Sequence, residues 1–212
     1  MDFSYFKNLI PKIEKIELPG TAAQYKMAPQ SRREELEAIN FDQLNAKKAA
    51  VLCLIYPKNQ ESHIVFILRN AYPGVHSSQI SFPGGRREKQ DDSFLATAIR
   101  ETEEEIGVSK KLINPITDLS KLFIPPSNFL VYPFLGFTDI EPDFQPDPGE
   151  VQQIIEVKLD FLLSNEAISS QKLSTSYATN IQVNCFTYHE HVIWGATAMI
   201  LSELSMLLLK LK

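Results

Sequence analysis

Ser81–Val108, SFPGGRREKQDDSFLATAIRETEEEIGV, is the stretch on which the reading of this chain turns. It joins a Pro-Gly-Gly turn, a polar linker and a helical pattern that carries four glutamates. Residues three and four apart share one face of an α-helix, so the carboxylates of Glu101, Glu104 and Glu105 project together. At about 100° per residue, Leu95, Ala98, Ile99, Thr102 and Ile106 gather on a neighbouring stripe that can pack on a sheet. That packing leaves the three acids looking outward along the sheet edge, with Glu103 on the other side and solvated. Clustered carboxylates repel one another and cost stability. A hard divalent cation relieves the repulsion, because it takes oxygen ligands while keeping waters and substrate phosphates. A solvated acidic face is the plain alternative for an isolated ExxEE pattern. Arg100 beside the cluster, Gly107 in the place of a helix-ending glycine and Gly84-Gly85 upstream all weigh against it.

Outward from this stretch, 212 residues with 44% apolar content suffice for one full core. A net charge of −5 argues against a nucleic-acid partner held by a basic surface, though small phosphorylated ligands can still be gripped locally. Cys53 and Cys185, the only cysteines, lie in strand-like apolar runs and read as buried free thiols. The N-terminus lacks a signal-peptide pattern and no apolar run reaches 18 residues, so a cytoplasmic protein without membrane association is expected. Residues 1–45 read as a helical extension packing on the core, with Phe3, Phe6, Leu9, Ile10 and Ile13 at helical spacing and Pro11 expected to kink it. Lys26, Arg32 and Arg33 form the densest positive cluster before the main domain, which occupies residues 46–212.

Within that domain AAVLCLIYP (49–57) and HIVFILRN (63–70) read as a hairpin. KLFIPPSNFLVYPFLGF (121–137) reads as one or two strands around Pro125-Pro126, and TDIEPDFQPDPGE (138–150) as a proline-rich loop ending in Glu150. VQQIIEVKLDFLLS (151–164) is a strand followed by a short helix. KLSTSYAT (172–179) and IQVNCFTYHEHVIWG (181–195) alternate like strands, with His189 and His191 expected on one side. A zinc site there lacks further soft ligands. A packed terminal helix opens after Trp194.

Arg100-Glu101-x-x-Glu104-Glu105-x-Gly107 behind a Pro-Gly-Gly turn resembles the Nudix box of the Nudix hydrolases. Two departures stand out. Thr102 replaces an apolar residue, and the interval from Gly85 to Arg100 is one residue longer, so the first-glutamate position falls on Asp91 or Asp92 depending on the direction of counting. The leader LRNAYPGVHSSQISFPGG is similar to that of the coenzyme A pyrophosphatase branch, matching at His76, Ser77, Gln79, Ile80, Ser81 and Phe82 through Gly85. The long interval is characteristic of the same branch. Ser78 replaces a glycine there, so either no positive φ is needed or a small strain is carried. The Trp194-Gly195-Ala196-Thr197-Ala198 run is similar to the end of such domains, with Met199 where an Arg often follows.

The resemblance implies an α/β (α+β) fold, a Nudix-type α/β/α sandwich with a mixed β-sheet between helices; the patterns above supply six to eight strands. It implies hydrolysis of the diphosphate linkage of coenzyme A or its thioesters to 3′,5′-ADP and (acyl-)4′-phosphopantetheine with Mg²⁺ or Mn²⁺. Glu101, Glu104, Glu105 and the Gly85 carbonyl are the implied metal ligands, with Glu104 and Glu105 also catalytic. Arg100 is expected to orient the glutamates by bidentate pairing, and Glu150 to act as a distal metal ligand or base. Arg69, His76, Ser77, Gln79 and Phe82 are the implied substrate contacts, and a homodimer is compatible with the family. Two other readings stay open: a Nudix hydrolase of ADP-ribose, NADH or a nucleoside triphosphate, and a non-catalytic nucleotide-binding module.

Overall fold

In the computed structural model, which describes residues 1–29, 32–71, 78–173 and 180–212, the apolar run after residue 46 becomes β1 (Lys47–Lys58). Asn59 and Gln60, at φ 50° and 67°, turn the chain straight into β2 (Glu61–Arg69). Two consecutive residues at positive φ make the tight hairpin loop whose twist matches that of the strands. The two strands pair only at this end, from Ile55↔Ile64 to Lys58↔Glu61. Beyond it they part, and the Pro-Gly-Gly segment enters the gap. β3 (Ile80–Ser81) pairs with β2 at Ile67 and Leu68, while β4 (Gly84–Arg86) pairs with β1 at Ala49 through Val51. Between them the Leu52 N–H donates to the Pro83 carbonyl at 2.9 Å. The diglycine is therefore held at a seam in the sheet, fixed from both sides.

Three helices precede this sheet: α1 (Phe3–Ile13), α2 (Gly20–Gln24) and α3 (Arg33–Glu37). After β4 come α4 (Phe94–Ile106), β5 (Asn114–Asp118), β6 (Leu122–Ile124) and β7 (Phe129–Phe137). The chain continues through β8 (Val151–Lys158), α5 (Leu159–Leu162), β9 (Ile168–Leu173), β10 (Ile181–Tyr188), β11 (His191–Ile193) and α6 (Gly195–Leu209). The main sheet is mixed: β7 runs parallel to β1 from Lys47 to Ile55, and the remaining pairs are antiparallel. β9, β10 and β11 form a separate antiparallel sheet.

Strand alternation divides the interior in two. Ala50, Leu52, Leu54 and Tyr56 of β1 meet Ala98 and Ile106 of α4 in one core. Ala49, Cys53 and Ile55 share the other with Phe3, Phe6, Leu9 and Ile13 of α1 and Leu201, Leu204 and Leu208 of α6. This is the helix-flanked mixed sheet that the resemblance implied. Two polar groups on the inner side of α6 are matched, whereas the buried Ser205 Oγ has no hydrogen-bond partner: Glu203 accepts from the Gly20 and Ser120 N–H groups and from Gln24 Nε2, and Ser202 Oγ donates to the Ala23 carbonyl. Both cysteines are buried and free. Among the described residues no helix is long and apolar enough to cross a membrane.

Several expectations need correction. Eleven strands are described rather than six to eight. β5, with Pro115 inside it and no strong apolar alternation, gave no sequence signal. α1 runs through Pro11 without a break, anchored by the burial of Phe6, Leu9 and Ile13 and by Asp2, which accepts the Ser4 and Tyr5 N–H groups. His189 sits at φ 51° in the turn between β10 and β11, so it and His191 do not share one strand face. Of KLSTSYAT only Lys172 and Leu173 are described, and they close β9.

Candidate active site

Ser93 starts α4 by accepting the Ala96 N–H at 3.0 Å, and Gly107 ends it at φ 73°, a backbone conformation other residues adopt at a cost. Between these caps the helix lies on β1 and β4 with Glu105 turned inward, only 1% exposed. The outward position expected for it is wrong. Its carboxylate can be buried because it accepts the Gly84 N–H at 2.7 Å and Arg69 Nη1 at 3.0 Å. Burial nevertheless wins: it pushes the Glu105 carboxyl up to about 7 against the pull of Arg69 and the Gly84 amide. Glu101 lies against the glycine backbone, where a Cβ on Gly85 would come within 2.5 Å of its carboxyl carbon. Burial raises its pKa as well, opposed by Arg100. Glu104, with its side chain 58% exposed, points to solvent.

Arg100 ties this face together, but its bidentate partner is not a glutamate. Nε and Nη2 each lie 2.9 Å from the two oxygens of Asp91, while Nη1 spans Glu101 at 3.0 Å and Glu104 at 2.8 Å. Asp91, buried, also accepts the Glu88 N–H and the Thr97 hydroxyl, and Arg100 holds its carboxyl well below the usual range. Asp92 is exposed. Of the two positions that counting allowed, Asp91 makes the contacts. Glu103, read as merely solvated, accepts the Lys110 N–H just past the helix end.

The proline-rich loop is less free than its composition suggested. Gln145 and Asp147 donate their N–H groups to the Ile106 and Glu105 carbonyls, each at 3.0 Å, satisfying groups that a helix end leaves open. Phe144 packs edge-on against Tyr56. So tethered, the loop brings Glu150 to the end of β2, where its carbonyl accepts the Asn70 N–H and its carboxylate lies 3.8 Å from Arg69 Nη2. Arg69 thus bridges Glu105 and Glu150, a relation that no local spacing announces.

Arg69 also borders a cavity of about 360 Å³ that begins at Gly84 and Gly85 and runs to Leu36, Phe129, Trp194 and Met199. Gln79 and Phe82 belong to its lining; the Gln79 carbonyl accepts the Arg69 N–H, and the Phe82 ring packs on Phe66 at 4.9 Å and is 1% exposed. Arg32 lines the cavity too, whereas Arg33 donates to the Lys26 carbonyl. Ser78 adopts φ 55°, so this serine carries the strain that a glycine avoids. His76 and Ser77 lie outside the described residues.

A family model for the NUDIX domain matches residues 46–176. The chain belongs to the Nudix hydrolase family. Nudix hydrolase 15, mitochondrial, of Arabidopsis thaliana is 31% identical over 167 residues, which is 76% of this chain and 58% of the relative, so this chain spans little more than half that protein's length. The uncharacterized Nudix hydrolase NudL of Photorhabdus laumondii is 32% identical over 161 residues, covering 76% of this chain and 84% of NudL. The peroxisomal coenzyme A diphosphatase NUDT7 of Mus musculus is 26% identical over 176 residues, covering 80% and 74%. A solved MutT/nudix family protein from Enterococcus faecalis superposes with a TM-score of 0.53 over 92% of this chain and 76% of its own, at 12% identity, and so shares the fold.

Nudix hydrolases generally use divalent metal ions. Among the described residues no three His, Cys, Asp or Glu side chains stand close enough to hold a metal as they are. Arg100 pairs with Glu101 and Glu104, and Arg69 pairs with Glu105. The donor set itself suits a hard cation, since it consists of carboxylate oxygens and a glycine backbone with no side chain between them and Glu101.

Proposed function

We propose that this Nudix chain hydrolyses the diphosphate linkage of coenzyme A or its thioesters, giving 3′,5′-ADP and (acyl-)4′-phosphopantetheine. The observation that carries the reaction type is the pair of shielded carboxylates, Glu101 and Glu105, held against Gly84-Gly85 where a cavity opens. The choice of substrate is supported by NUDT7, named as a coenzyme A diphosphatase, which aligns with 80% of this chain. The leader through Gly85 supports it too, with His76 and Ser77 kept as substrate contacts on that resemblance.

Glu101, Glu104, Glu105 and the Gly85 carbonyl would hold Mg²⁺ or Mn²⁺. Once bound, such an ion neutralises the diphosphate oxygens and lowers the pKa of a coordinated water. Arg100 keeps Glu101 and Glu104 in register through its anchor on Asp91 and needs no contact with substrate. Arg69, which pairs with Glu105 and lines the cavity, would meet a phosphate oxygen. Glu150, with its side chain 54% exposed beside Arg69, is the acid with room to take a proton from the attacking water. Catalysis of this kind is chiefly positioning and charge neutralisation. A cytoplasmic location and a homodimer belong to the same proposal.

The test incubates the protein with Mg²⁺ or Mn²⁺ and coenzyme A, acetyl-coenzyme A, ADP-ribose, NADH or dGTP and identifies products by mass. Release of 3′,5′-ADP from the coenzyme A species is expected. Turnover confined to ADP-ribose, NADH or dGTP would sink the substrate assignment, and no turnover of anything would leave a binding module.

A further inference from the structure

The cavity beside the diglycine has a more apolar lining than a diphosphate requires. It starts at Arg69, Gly84 and Gly85, directly behind the glycine backbone against which Glu101 rests. Its lining also includes Ala49 and Val51 of β1 together with Leu36, Phe129, Trp194 and Met199. Several of its polar groups are already engaged. Thr197 Oγ1 donates to the Ile80 carbonyl at 2.9 Å, and Arg69 Nη1 is on Glu105. The Ser81 hydroxyl, by contrast, is buried with no hydrogen-bond partner.

That combination matches one part of the substrate better than the other. An adenine ring needs hydrogen-bonding groups along its edge. A pantetheine arm needs one or two amide partners, and an acyl chain beyond it needs only apolar walls. Gln79 belongs to the lining as an amide-bearing residue, and Leu36, Phe129, Trp194 and Met199 supply apolar walls. Each methylene buried there is worth up to about fourfold in affinity. Resting on the coenzyme A reading above, we infer that this cavity seats the acyl-pantetheine end of the substrate, so that the enzyme acts on acyl thioesters of coenzyme A in preference to the free thiol. Arg32 and Arg86 also belong to the lining, and a 3′-phosphate paired with either would make the adenosine end the competing occupant.

The experiment measures kcat/KM of the full chain with Mg²⁺ for coenzyme A and its acetyl, hexanoyl and decanoyl thioesters, following 3′,5′-ADP by mass. It also measures inhibition by the two product halves, decanoyl-4′-phosphopantetheine and 3′,5′-ADP. A rise of at least tenfold from free coenzyme A to the hexanoyl or decanoyl thioester is expected. Ala196→Phe, in the cavity wall at the first turn of α6, is expected to cut that ratio below threefold. The same variant should weaken inhibition by decanoyl-4′-phosphopantetheine about tenfold more than inhibition by 3′,5′-ADP. Equal kcat/KM across the wild-type series overturns the inference and leaves the coenzyme A reading standing, and this arm needs no variant to fold. Weakened inhibition by 3′,5′-ADP alone in Ala196→Phe overturns it in favour of the adenosine end. Turnover of ADP-ribose or NADH with none of any coenzyme A species removes both.

Discussion

Glu105 carries two conflicting demands. Its raised pKa means that, without metal, the folded chain favours the protonated acid. The stabilising contribution of that proton is fully present below the ordinary carboxylate value and is lost as pH rises through about 7. Glu105→Gln is therefore expected to make the metal-free protein more stable than wild type at pH 8 by about 3 kcal/mol, and equally stable near pH 4, as read by urea melts in EDTA. The same change should reduce the rate with metal at least about a hundredfold. Near wild-type activity would remove Glu105 from the chemistry. Ser78 offers a separate check: at φ 55° its side chain costs stability, so Ser78→Gly should raise stability by about 0.5–1 kcal/mol in thermal melts. The spacing of Arg100, Glu101, Glu104 and Glu105 could be read directly, since helical periodicity alone puts them near one another. The Arg69 bridge and the inward turn of Glu105 could not. They depend on where β2 ends and on which donors the diglycine backbone presents.

α4 gains its accuracy from what holds its two ends. Ahead of the start, Asp91 accepts the Thr97 hydroxyl and clasps Arg100 at mid-helix; at the finish, Gln145 and Asp147 close the carbonyls of the last turn. Asp91→Asn keeps the shape but removes a charge-assisted, two-point pairing, and is expected to cost about 1.5–3 kcal/mol in urea denaturation. Because Arg100 also spans Glu101 and Glu104, the loss should lower kcat along with stability. Unchanged kcat would show that the glutamates keep their places without the anchor. Elements with strong apolar patterns, such as the β1–β2 hairpin and α6, were visible in the sequence. The loop at 138–150 carried no pattern because its constraint comes from helix carbonyls, which every residue type possesses. β5 was invisible for a related reason, since its pairing with β7 is made by backbone.

At the scale of the molecule, a single sheet separates two cores, and the N-terminal helix belongs to one of them. Phe6 is fully buried among residues of α1 and α6 and the sheet. Phe6→Ala is expected to cost about 3–5 kcal/mol in urea denaturation; a loss below 1 kcal/mol would mark α1 as an appendage instead. The seam between β1 and β2 has a consequence for how such chains diversify. Ile80–Ser81 and Gly84–Arg86 are clamped to different strands, so the diglycine turn keeps its place independently of the connections that lead into and out of it. The Arg87–Ser93 linker, within the long interval between Gly85 and Arg100, lies beyond the second clamp, and Glu101 and Glu105 meet the diglycine all the same. Insertions on either flank are thereby uncoupled from the diglycine, and a changed connection on one side leaves the other clamp and the two glutamates where they are.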